Sequence, residues 1–94
     1  MTRYTVRWDK DVEVAYVTAW VASDSRTRKL LTSIADWIDS ELAIDPDIKG
    51  RPRPNMSGRT VKVAVFDTAT VFVTYTVSSD DRVCRVIQLV FRNH

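Results

Sequence analysis

The chain has 94 residues, 45% of them apolar and 28% charged, with two glycines and a net charge of +2. That length carries one domain around one core, and the composition excludes collagen-like, low-complexity and disulfide-stapled classes. The charge is uneven: residues 1–48 carry six Lys/Arg against nine Asp/Glu, and residues 49–94 carry eight against three. A basic second half attracts either a polyanion or an acidic protein, and it does so through one part of the surface.

Residues 3–8 alternate strictly. Tyr4, Val6 and Trp8 point one way and Arg3, Thr5 and Arg7 the other, as in a half-buried strand. Asp9 offers an N-cap for a helix over 10–22, with Asp11 and Glu13 suited to its first turn. Val14, Val17 and Val21 form one stripe of that helix, with Tyr16 and Trp20 beside it. Ser23, Asp24 and Ser25 break the pattern. A second helix is predicted from Thr27 to Ala43, where Leu31, Ile34, Ala35, Ile38 and Leu42 recur at i, i+3, i+4, i+7 and i+11. Two helices joined by a short polar turn form an antiparallel hairpin.

From Asp45 to Gly58 the prolines and glycines predict an irregular loop, made basic by Lys49, Arg51 and Arg53. Three strands follow over 60–66, 71–77 and 82–92, separated by the turns Asp67-Thr68-Ala69-Thr70 and Ser78-Ser79-Asp80-Asp81. The expected fold is α+β with the order β-α-α-β-β-β. The N-terminal strand joins a four-stranded, mainly antiparallel sheet, and the helical hairpin covers one face of it. The rows Val61/Val63/Val65 and Val71/Val73/Tyr75/Val77 are the expected core face. Lys62, Thr74, Thr76, Gln88 and Arg92 are expected on the open face, together with Val86 and Val90.

The chain lacks a Gly-rich phosphate loop, paired-cysteine metal spacing and a second histidine, so no metal or cofactor is expected. His94 is the terminal residue. Asp36/Asp39 read as a solvated helix face and Asp80/Asp81 as turn residues. Trp8, Trp20 and Trp37 read as core or interface aromatics. Cys84 sits in an apolar run, where a free thiol packs as a small hydrophobe and favours a reducing compartment. Met1-Thr2-Arg3-Tyr4 does not open a secretory leader, and no run approaches the roughly 18 apolar residues of a membrane span. A cytoplasmic single domain over 1–94 with no membrane partner is the expectation.

The strand Arg3–Trp8, the helix end Ile38-Asp39-Ser40-Glu41-Leu42 with Asp45-Pro46, the basic loop with Gly50, and the runs Val71–Val77 and Arg82–Ile87 together resemble the RelE/ParE toxins of bacterial type II toxin–antitoxin systems, which act in plasmid stabilisation. The resemblance spans nearly the whole chain. It implies a cognate antitoxin as partner. It also implies one of three activities: a metal-independent mRNA endoribonuclease acting on the ribosome, a ParE-like inhibitor that binds DNA gyrase, or a degenerate relative that binds only its antitoxin. The family's strand-two lysines fall near Lys62, with Ala64 where a second stands, and its C-terminal arginine falls at Arg92. The arginine usual early in the third strand falls at Phe72, and the tyrosine that follows the C-terminal arginine has no counterpart. Lys62, Arg92 and Arg59 are the implied catalytic set, and Lys49, Arg51, Arg53 and Gln88 the implied RNA- or partner-binding set. Fixed cations of this kind stabilise the charge that builds on phosphorus during 2′-OH attack.

Overall fold

A computed structural model describes residues 2–52, 60–66 and 69–93, the side chains of 51, 52 and 93 excepted. The elements are β1 (Thr5–Trp8), α1 (Lys10–Val21), α2 (Ser25–Glu41), a 3-10 turn (Pro46–Ile48), β2 (Arg51–Pro52), β3 (Thr60–Phe66), β4 (Ala69–Ser78) and β5 (Val83–Asn93). The sheet order is β1-β5-β4-β3-β2. The β3–β4–β5 meander is antiparallel, and β1 runs parallel to β5, a pairing that the long helical connection permits. The two-residue β2 adds a fifth strand inside what reads in the sequence as a structureless loop.

The helical hairpin covers one face. Asp24 caps α2 by accepting the Thr27 N–H at 2.8 Å, a contact that also lowers its carboxyl pKa. Arg28 closes the other side of the turn, donating to the Trp20 and Val21 carbonyls at the end of α1. The Tyr16 hydroxyl donates to the Leu31 carbonyl and ties the two helices together. Ile34, Ile38 and Leu42 then pack with Tyr4, Val12, Val71, Val73, Tyr75, Cys84 and Val86 in one core. The helix-two stripe is therefore buried as its periodicity predicts. The α1 stripe is not: Val14, Val17 and Val21 are at least half exposed, and Val12 is the buried residue of α1.

Two of the expected strand faces are corrected. Thr60, Lys62, Ala64 and Phe66 pair with Tyr75, Val73, Val71 and Ala69, and directly paired residues share a face. Lys62 therefore points to the helix side, while Val61, Val63 and Val65 lie on the open side. The second correction is at a β-bulge. Tyr75 pairs with Val86 but Thr74 pairs with Gln88, so Ile87 is the extra residue. The bulge shifts the alternation of β5, placing Cys84, Val86, Leu89 and Phe91 on the helix side. Val86 is fully buried and not on the open face; Gln88, Val90 and Arg92 are where the sequence puts them.

Candidate functional site

The cations predicted from sequence separate into two places. The first is the sheet edge below the end of α2. The Glu41 carboxylate there forms ion pairs with two ammonium groups, Lys49 Nζ at 3.5 Å and Lys62 Nζ at 3.9 Å. Lys49 Nζ also donates to the Glu41 carbonyl at 2.7 Å, neutralising the exposed C-terminal end of the helix. The turn that presents Lys49 is held from beneath by Tyr75, whose hydroxyl lies 2.9 Å from the Pro46 carbonyl and 2.6 Å from the Lys49 carbonyl. Burial, with smaller contributions from Cys84, Asp47 and Glu41, pushes that phenol well above its ordinary value and keeps the proton on the donor. Gly50 completes the turn at φ +72°. A Cβ there would stand 2.5 Å from the Val61 carbonyl and 3.1 Å from the Tyr75 hydroxyl, so only glycine fits.

The second place is the open face, where three cross-strand rows run over β3, β4 and β5. They are Val61–Thr74–Gln88, Val63–Phe72–Val90 and Val65–Thr70–Arg92. The Arg92 guanidinium sits over the Phe72 ring, 5.7 Å from its centre. Towards β1 the same face continues with Thr76, Arg85 and Arg7, and Arg85 is paired with Asp9 at 2.8 Å. A cleft of about 670 Å³ opens beside β1 and shares Arg7 and Arg85 with this face. Its lining balances Arg7, Lys10 and Arg85 against Asp9, Glu13 and Asp39, so it carries no charge preference.

Lys62 is thus brought to Lys49, whereas Arg92 and Gln88 share the open face with the Val90 row between them, and Lys62 and Arg92 stand on opposite faces of the sheet. Arg53, Arg59 and His94 lie outside the described residues, and for Arg51 only the backbone is described, paired with Val61. Sequence reasoning missed Glu41, Tyr75 and Phe72 as organisers of these two places. Phe72 was visible as the apolar residue standing where the resemblance wants an arginine. Glu41 carried no signal beyond its place in the last turn of α2.

The described fold is similar to solved structures of toxin–antitoxin proteins. A chain of the toxin–antitoxin complex RelBE2 from Mycobacterium tuberculosis matches at 18% identity and a TM-score of 0.69, covering 98% of this chain and 94% of that one. A double mutant of the E. coli toxin RelE in its free state matches at 17% identity and a TM-score of 0.56, covering 95% of this chain and 82% of that one. The chain has the RelE fold. No family model matches the sequence, and no curated protein matches it significantly. Among the described residues no helix is long and apolar enough to cross a membrane.

Proposed function

We propose that the chain is the toxin of a bacterial type II toxin–antitoxin pair, a single domain over residues 1–94 that acts in the cytoplasm. The observation that carries this is the RelE fold, matched end to end with a chain of a toxin–antitoxin complex. The partner on this reading is an antitoxin. The basic balance of residues 49–94 and the apolar open face favour one with acidic and apolar side chains.

Of the activities the fold can host, inhibition of a protein target by binding is the one the geometry supports best. A cleaving site needs its cations around one phosphate, and Lys62 and Arg92 face away from each other. The position where RelE-like ribonucleases are expected to carry a third cation is Phe72. DNA gyrase, the target of ParE-like toxins, is the first protein to test. The mRNA endoribonuclease reading draws its support from Lys49 and Lys62 converging at the edge that leads into the segment with Arg51, Arg53 and Arg59.

One experiment separates them. The chain is induced from a tightly repressed promoter in a bacterial host, growth is followed, and mRNA 5′ ends are mapped. The purified protein is then added to gyrase supercoiling and to cell-free translation. Growth arrest with unchanged mRNA ends and slowed supercoiling is the expected outcome. New in-frame mRNA ends that vanish with Lys62→Ala would replace this activity with the ribonuclease, and absence of growth arrest would remove the toxin assignment.

A further inference from the structure

The outer side of α1 carries a stripe of valines, and we propose that it pairs with the same stripe on a second copy of this chain, the two helices antiparallel about a two-fold axis at Val17. This pairing does not depend on the toxin reading. α1 is apolar on both sides. Val12 is its buried residue, and the Tyr16 hydroxyl ties the same side to α2. With about 3.6 residues per turn, Val14, Val17 and Val21 fall together on the opposite side. They are 52%, 50% and 63% exposed, and Trp20 beside them is 37% exposed. From Val14 to Ala22 the chain carries no charged residue. A helix that is apolar all round belongs in an interior, not at a water boundary. Valine also lowers helix propensity, so a row of exposed valines does not serve to make the helix. It serves a contact.

The charges at the two ends of the stripe select a second copy. Asp11 and Glu13 stand at its N-terminal end. Arg28 stands at its C-terminal end, bonded to the Trp20 and Val21 carbonyls and 4.4 Å over the Trp20 ring. Trp20, Arg28 and Lys29 line a groove there with Thr32 and Ser33. A copy turned about Val17 sets Val14 against Val21 and brings Glu13 to this basic groove. Lys10, in the first turn, comes to Asp24, in the turn that follows α1. Two-fold symmetry makes each of these contacts twice. A parallel copy would set like charges side by side. An acidic peptide or an anionic lipid surface would gain at Arg28 and Lys29 but meet Asp11 and Glu13 at the other end. The 12 residues of α1 span only about 18 Å, short of the roughly 800 Å² per partner of a standard interface, so the dimer is weak and forms with concentration. It lies on the helix side of the sheet and leaves the open face free.

Sedimentation equilibrium of the purified full chain over a wide range of concentration tests the pairing. The mass is expected to rise from that of one chain, 10.8 kDa, towards that of two. Val17→Asp opposes two carboxylates across the axis and is expected to weaken association about tenfold or more, with an unchanged circular dichroism spectrum. Glu13→Lys and Lys29→Glu each set like charges together and are each expected to weaken association. Combined in one chain they restore opposite charges and are expected to recover most of it. The two positions flank opposite ends of α1, so one chain does not produce this rescue alone. If Val17→Asp fails to fold, the charge exchange decides. The proposal is overturned if the wild type keeps the mass of one chain at every concentration, or if folded Val17→Asp associates as the wild type does. It is equally overturned if the doubly exchanged chain associates no better than the single variants, or if Val65→Asp on the open face dissolves the dimer while Val17→Asp does not.

Discussion

Tyr75 offers the most direct test of how the basic turn is held. Its ring is fully buried in the core, and its one hydroxyl proton is shared between the Pro46 and Lys49 carbonyls. Tyr75→Phe keeps the ring and removes the donor. The Lys49 carbonyl then loses this donor, and the buried Pro46 carbonyl keeps only the longer bond from the Lys49 N–H, at 3.3 Å. Losing a hydrogen bond while the buried acceptor keeps a weaker one costs about 0.5–1.5 kcal/mol. For a domain of this size each kcal/mol lowers Tm by about 4–8 °C. Urea unfolding of the two proteins is expected to show a lower midpoint at an unchanged m-value, since the exposed area does not change. The effect should also be local: the Ile48 and Lys49 amides, which bond back to Asp45 and Pro46, should exchange faster than the amides of β4 and β5. A midpoint equal to that of the wild type, with unaltered exchange at Ile48 and Lys49, would show that the hydroxyl does not hold the turn.

Ile38→Ala empties a fully buried site in the core and is expected to cost about 2–5 kcal/mol, read from the urea midpoint. Gly50→Ala meets both a positive φ and the Val61 carbonyl; a drop in Tm is expected, and an unchanged Tm would contradict the tight approach. Glu41→Gln removes the carboxylate shared by Lys49 and Lys62, but all three side chains are part-exposed, so a loss below about 1 kcal/mol is expected by the same urea assay. Burial pushes the Cys84 thiol up to about 12, above its value of about 8.5 in an unfolded chain, so the unfolded state gives up this proton first as pH rises. The stability tied to Cys84 is therefore complete below about pH 8.5 and is lost between there and about pH 12; urea midpoints should fall over that window less steeply in Cys84→Ala than in the wild type.

Much of the fold was legible because each element carried its own period. The α2 stripe of Leu31, Ile34, Ile38 and Leu42 is buried as the 3.6-residue spacing requires, and Tyr4, Val6 and Trp8 share the helix side of the first strand. The face of β3 was misread because hydrophobicity was taken strand by strand. Val61, Val63 and Val65 form the more apolar row of that strand, yet chain connectivity forbids them the core face. In a regular hairpin an even-length connection pairs odd-numbered residues with even-numbered ones, and here Phe66 meets Ala69. Once Val71, Val73 and Tyr75 face the helices, Lys62 and Ala64 must face them too. This rule uses only the sequence and the turn length. The bulge at Ile87 is different in kind, since nothing in an alternation of apolar residues announces where one extra residue will be tolerated.

The same parity rule governs the site. Placing Lys62 and Arg92 on one open face assembles two cations around a phosphate; placing them on opposite faces gives each a different neighbour and a different task. Lys62 is drawn to Glu41, together with Lys49, and helps to fix the end of α2 over the sheet edge. Arg92 is left beside Phe72 and the valines, where its charge works at the border of an apolar surface. A substitution that exchanged those environments would have to move one strand by a single residue, and that slip would carry Val63 and Val65 into the core and Lys62 out of it. The register of β3 against β4, set by the Phe66–Ala69 pair and held by Val71 and Val73 in the core, therefore decides which chemistry the open face can present.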